Sequence, residues 1–269
     1  MAQEGGGEYI HVIPLGYEFD RAVRPLDNEK VNRVHLVTMD EIEKYSSPDE
    51  QALTKKQRHY DDLVTNYIQN LGIEIVTHRV DMFDILSVMT VISQIIKEER
   101  LKNNKISVNM SACGRLTAFA VTQAAMAHNV QLYYVRADAY SQNEDETEKH
   151  GLSICQSCRI WDLENFRFDL PTDLDRTILI KIAKNTDGIT GEELIHEIIS
   201  SGIEGYETRY WELPVRERRK CQSNYLTKLR KGPIERLVKA GYISKERIGR
   251  QIILQITPSG KYVACVCND

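Results

Sequence analysis

No run of 18 apolar residues occurs in the chain, which excludes a membrane-spanning helix. Residues 1–7 have neither a basic start nor an apolar run, so no secretory leader is read there. Cysteine is sparse: six residues in 269 do not make a disulfide scaffold, and free thiols suit a reducing compartment. These absences lead us to expect a cytoplasmic protein with no membrane partner. GxGxxG and Walker sequences are both missing, so neither common phosphate-cradling motif is available. The histidines show no HExxH or similar spacing. One CxxC, Cys155-Gln156-Ser157-Cys158, lacks a second pair to complete the four ligands of zinc. With His150, Cys265 and Cys267 as the other candidates, a structural zinc, a redox pair and free thiols all stay open. No metal, cofactor or catalytic residue is assigned.

What is present is an uneven charge. Residues 1–170 carry 18 Lys and Arg against 26 Asp and Glu, a net of −8. Residues 171–269 carry 17 against 13, a net of +4, and within them residues 209–261 reach +10, from 14 against 4. A basic segment inside an acidic chain points to a phosphate-binding surface or to a solubilising face. With this length, it divides the chain into two domains, 1–170 and 171–269.

The first domain alternates strand and helix patterns. Strands are predicted over 9–16, 31–38, 73–80, 105–110 and 130–135. The intervening helices fall at 48–70, 84–101 and about 114–128. The strands are apolar on both sides, as in a mostly parallel sheet covered on both faces. The polar stretch 138–148 reads as a loop, and short strands follow at 152–154 and 160–168. Ligands bind such folds at the strand C-termini. One loop there runs from Leu15 to Arg21, and the other from Asn109 to Arg115. In the second, small residues and Gly114 let a ligand approach the backbone at a helix N-terminus. Ser111 and Thr117 offer hydroxyls, and Arg115 offers a guanidinium for phosphate. The competing reading is a tight strand-to-helix turn with Arg115 simply solvated.

The second domain reads as helix, helix, helix and basic-tipped hairpin, the order of a winged helix-turn-helix. Helices are predicted from Asp173 or Asp175 to Lys184, and from a Thr190–Glu193 capping box onward. A third runs from Arg216 to Gly241, with Gly232-Pro233 able to divide it. On it Gln222, Ser223, Asn224, Thr227, Lys228 and Lys231 are the candidates to meet phosphates or base edges of double-stranded DNA. At the hairpin tip Lys245, Arg247 and Arg250 join them.

Two motifs, His11-Val12-Ile13-Pro14-Leu15-Gly16-Tyr17-Glu18-Phe19-Asp20-Arg21 and Val108-Asn109-Met110-Ser111-Ala112-Cys113-Gly114-Arg115, carry a family resemblance. Leu237-Val238-Lys239-Ala240-Gly241-Tyr242-Ile243 with the wing adds to it. The chain resembles the archaeal CARF–winged-helix transcriptional regulators related to the CRISPR-associated Csa3 proteins. The resemblance implies a Rossmann-like CARF domain that forms a homodimer and binds cyclic oligoadenylate or a related nucleotide. Gly16, Tyr17, Glu18, Phe19 and Arg21 would lie in one ligand loop. Asn109, Ser111, Gly114, Arg115 and Thr117 would lie in the other. Glu18 and Asp20 depart from what an anionic ligand prefers, and Cys113 narrows the second turn. The expected function is a ligand-responsive, DNA-binding transcriptional regulator; enzymatic activity is left open, with its absence preferred since no strong general base is evident. The alternatives are a CARF-type ring nuclease, with Ser111, Arg115 and Thr117 positioning a phosphate, and a protein-interaction module using the basic helix.

Overall fold

Strands that are apolar on both faces can be satisfied only inside a sheet covered twice, and the first unit is built that way. The computed structural model describes residues 7–40, 47–166, 168–171, 173–249 and 251–268. The chain divides into two compact units, residues 1–168 and 169–269. In the first, β1 (Tyr9–Pro14) leads through a short α1 (Asp20–Val23) to β2 (Arg33–Met39). Next come α2 (Pro48–Asn70), β3 (Glu74–Val80), α3 (Ile85–Leu101), β4 (Lys105–Asn109), α4 (Arg115–Ala127) and β5 (Gln131–Arg136). The sheet order is β3-β2-β1-β4-β5, all parallel. The direction of winding therefore reverses between β1 and β4, and a crevice opens there at the strand C-termini. Ile13, Leu15, Val34 and Leu36 of the sheet bury against Tyr60, Val64 and Ile68, one helical stripe of α2.

The remainder of the first unit differs from the sequence reading. The acidic stretch at 138–148 is not a simple loop. It contains β6 (Ala139–Tyr140) and the start of α5 (Glu144–His150), and β6 pairs with β7 (Ser153–Ile154). Asn143 starts α5 by accepting a hydrogen bond from the Glu146 N–H, 2.9 Å, so local capping outweighs the lack of apolar residues. β8 (Arg159–Leu163) then adds antiparallel to β5, which makes the sheet mixed.

The second unit comprises α6 (Asp173–Lys184), β9 (Ile189–Thr190), α7 (Gly191–Ser200) and α8 (Val215–Leu229). A π turn (Arg230–Ile234) runs on into α9 (Glu235–Lys239). β10 (Ile243–Ile248), β11 (Gln251–Ile256) and α10 (Pro258–Cys267) complete it. Thr190 forms the full capping box with Glu193 at the start of α7. Pro233 has no N–H to donate, and the helix passes it by widening to a π turn rather than breaking. Ile178, Leu179, Ile182, Leu194, Ile198 and Leu237 meet in one core. β9 joins the β10–β11 hairpin as a third strand, and the pairing of Lys245 with Leu254 and Arg247 with Ile252 places these cations along the strand instead of at its tip. Arg250 lies outside the described residues. Among the described residues, no helix is long and apolar enough to cross a membrane.

Candidate functional site

The β1 and β4 loops, about ninety residues apart in sequence, are tied together directly. The Gly16 N–H donates to the Ala112 carbonyl, 2.7 Å. The loops approach closely here: a Cβ on residue 16 would come within 3.3 Å of the Cys113 backbone. The Asn109 amide donates to the Arg21 carbonyl, 2.8 Å, while its oxygen accepts from the Ser111 N–H and hydroxyl at 2.9 and 2.6 Å. The Arg21 guanidinium reaches the Ser111 carbonyl, 3.4 Å, the Glu18 carboxylate, 3.2 Å, and the Tyr134 hydroxyl, 2.9 Å.

The structure thus sorts the ten proposed ligand residues into two groups. Glu18, Arg21, Asn109, Ser111 and Thr117 are buried, and each makes side-chain hydrogen bonds within the protein; the Thr117 hydroxyl donates to the Met82 carbonyl, 2.9 Å. They hold the crevice in shape. Gly16, Tyr17 and Phe19 are half-buried, while Gly114 and Arg115 are exposed. Gly114 is the N-cap of α4 in extended conformation, and no side chain caps the helix. Its first N–H groups, beside Arg115, form an anion-seeking edge.

The β6–α5–β7 segment covers the β1 loop. The Leu152 N–H donates to the Tyr17 carbonyl, 2.8 Å, and the Phe19 N–H to the His150 carbonyl, 3.2 Å. The Ser153 hydroxyl donates to Glu18, 2.8 Å, and His150 lies 3.0 Å from Asp20. Burial raises the Glu18 carboxyl to about 7, despite the opposing charge of Arg21, and its Oε2 has no partner. Burial likewise pushes the Cys113 thiol to about 12, which leaves it protonated and a poor nucleophile.

Sequence reasoning missed a cleft of about 280 Å³ between α2 and α5, lined by Lys56, His59, Tyr60, Glu144, Thr147 and Glu148. It adjoins the β1 loop, since the Lys56 ammonium lies over the Tyr17 ring, 5.3 Å from its centre. The Asn143–Glu146 spacing was the available signal for the α5 wall. Among the described residues no group of three or more His, Cys, Asp or Glu is arranged to hold a metal ion, and all six cysteines are free.

In the second unit, Ser223, Asn224, Thr227, Lys228 and Lys231 share one exposed face of α8 and the π turn. Gln222 is half-buried and donates to Glu192, 2.6 Å. Lys228 donates to the Gly205 carbonyl, 3.2 Å, and lies over the Tyr206 ring. Lys245 and Arg247 are exposed on β10.

Residues 9–140 match the sequence family described as HFX_2341_N-like, N-terminal, and residues 175–268 match the DUF6293 C-terminal winged helix domain. No curated protein matches the chain. Among solved structures it is similar to Enterococcus italicus Csm6 bound to cyclic hexa-2′-fluoro-hexa-dAMP. That match has 15% identity and a TM-score of 0.41, and covers 87% of this chain and 58% of that one. Similarity extends to Can2 from Sulfobacillus thermosulfidooxidans in complex with cyclic tetra-adenylate, with 11% identity, a TM-score of 0.37, and coverage of 96% and 62%. A type III CRISPR defence DNA nuclease activated by cyclic oligoadenylate is a further match, with 12% identity, a TM-score of 0.38, and coverage of 94% and 38%. The chain therefore spans less than two thirds of the length of each of these proteins. The expectation of a protein without enzymatic activity is corrected, as the matched structures include a DNA nuclease, and nothing in these matches supports the DNA-binding, transcription-regulating role. The chain has a CARF-like α/β domain followed by a winged-helix domain.

Proposed function

We propose that the first unit binds a cyclic oligoadenylate, or a closely related nucleotide, at the β1–β4 crevice. The observation that carries this reading is the uncapped, exposed start of α4 at the point where the sheet reverses its winding. Its free N–H groups and the Arg115 fork suit a phosphate. The half-buried rings of Tyr17 and Phe19 give an adenine a surface to stack on. A net charge of −8 over residues 1–170 means that affinity comes from these aimed groups rather than from the field of the whole domain. A ring with internal two-fold symmetry fits a homodimer that presents the same edge twice.

A second reading, cleavage of the bound ring, is favoured by Glu18. A carboxyl that burial lifts toward neutrality beside the crevice is suited to take and return a proton. In that reaction a ribose 2′-hydroxyl attacks the adjacent phosphorus and loses its proton to the base. The 5′-oxygen departs with a proton, leaving a 2′,3′-cyclic phosphate and a 5′-hydroxyl.

Calorimetric titration of the full chain with cyclic tri-, tetra- and hexa-adenylate tests the binding, and chromatography of the same mixtures tests the cleavage. Arg115→Ala is expected to weaken binding by about 1.5–3 kcal/mol, the contribution of a hydrogen bond to a charged group. If no ring binds below millimolar concentration, or if the variant binds equally well, the assignment fails. Linear products that disappear in Glu18→Gln, with binding retained, would support the second reading.

A further inference from the structure

The winged-helix unit carries an open pocket of about 90 Å³ that joins apolar side chains to two cations. Leu226 and Leu229 of α8, Ile234 of the π turn, and Ile252 and Leu254 of β11 form its apolar walls. Arg230 and Lys245 also line it, and no carboxylate does. Lys245 is out of pattern. It pairs across the hairpin with Leu254, which is 2% exposed, and stands two residues from the equally buried Ile243. Side chains alternate faces along a strand, so Lys245 stands on the same face of β10 as Ile243, with its own side chain exposed at the rim of the pocket. Arg230 reaches the same cavity because the π turn places it and Ile234, the two ends of that turn, on one wall. Such turns recur at functional sites. Neither cation has a hydrogen-bond or ion-pair partner among the described residues.

Two cations that border an apolar pocket, with no carboxylate in its lining, suit an anion placed between them. A bare inorganic anion would satisfy the charges and leave the apolar walls without contact. We propose that the winged-helix unit binds a small aliphatic carboxylate, its head between Arg230 and Lys245 and its hydrocarbon body against Leu229, Ile234 and Leu254. The cavity is smaller than the ~150 Å³ cavity that takes benzene, so the body has about four or five carbons. This site lies within the second unit and does not depend on nucleotide binding by the first.

The test uses the full chain and three probes. Isovalerate carries both charge and hydrocarbon, 3-methylbutan-1-ol carries the same hydrocarbon without charge, and inorganic phosphate carries charge alone. Backbone amide NMR shifts are followed during each titration. Isovalerate is expected to give saturable shifts centred on Gly191, Arg230 and Leu254, with affinity at least about tenfold above that of either partial probe. The double variant Arg230→Ala, Lys245→Ala is expected to lower isovalerate affinity at least about tenfold and to leave binding of the alcohol unchanged. Both side chains are exposed, so the melting temperature serves as a control for folding. The proposal is overturned if the alcohol or phosphate binds as well as isovalerate. It also fails if the double variant retains full affinity, if the shifts map outside the cavity, or if isovalerate does not saturate below roughly 50 mM.

Discussion

Replacing Glu18 with Gln is expected to flatten the pH dependence of the first unit's stability. In the unfolded chain Glu18 titrates near its ordinary 4.5, whereas in the folded protein burial lifts it to about 7. Folding therefore takes up a proton between these values. The stability linked to this group is fully present below 4.5 and is lost as pH rises through about 7. The interval corresponds to about 3 kcal/mol, an order-of-magnitude figure for a side chain in a residue only 6% exposed. Gln keeps an oxygen for Ser153 and Arg21 but does not titrate, so any lost contact appears as an offset independent of pH. His35, His78 and His128 are all shifted down by burial and act oppositely, weakening the fold as pH falls below 6.5. They are common to both proteins and cancel in the difference. The two tryptophans, Trp161 and Trp211, lie in different units. Urea unfolding followed by fluorescence in a Trp211→Phe background therefore reports the first unit alone. Between about pH 5 and about pH 8 the parent is expected to lose about 3 kcal/mol relative to Glu18→Gln. Parallel stability curves would refute the burial argument.

Two further perturbations test the local backbone. Gly151 has φ +83° and ψ −158°, a region open essentially to glycine alone, and a Cβ there would lie 2.6 Å from the Phe19 nitrogen and the Tyr17 oxygen. Gly151→Ala is expected to cost about 1–3 kcal/mol from conformation and more from the clash, read by Trp161 fluorescence; an unchanged midpoint would mean that the β6–α5–β7 segment is not held against the β1 loop. Thr190→Ala removes the cap of α7 and is expected to cost the second unit about 1 kcal/mol, followed through Trp211 in a Trp161→Phe background. No change there would show that the capping box does not contribute in solution.

The repeating architecture was legible because its causes are local and periodic. Apolar stripes at helical spacing gave α2 and α3 nearly to the residue, and the Thr190–Glu193 spacing located the start of α7. Elements whose causes are short or specific were harder to read. α5 has no buried residue, so no hydrophobic period announced it; its signal was the single cap at Asn143. β8 follows the strand pattern but runs antiparallel, and strand direction is set by the connection that precedes it rather than by composition. The π turn at Gly232-Pro233 was visible as an irregularity whose outcome depends on whether tertiary packing holds the helix together across the proline. Here Pro233 and Ile234 are buried, which favours continuity.

The candidate site was legible in location and only partly in chemistry, for a physical reason. Topology alone sends the β1 and β4 loops to one edge, so choosing them required only the strand order. Which polar groups face outward depends on the satisfaction of buried hydrogen bonds, and a linear reading does not display that. Asn109 illustrates the difference: its type and position suit a ligand, but both ends of its amide are committed to Arg21 and Ser111, and it is fully buried. Removing it from that network to meet a nucleotide would orphan buried backbone groups, at a cost of about 1–3 kcal/mol for each. Arg115 carries no such commitment and sits where free helix N–H groups already favour negative charge. The buried residues and Arg115 therefore divide the labour. The network of Glu18, Arg21, Asn109 and Ser111 ties the two loops together, and the exposed, uncapped start of α4 is the part of the crevice that the proposed phosphate contact would use.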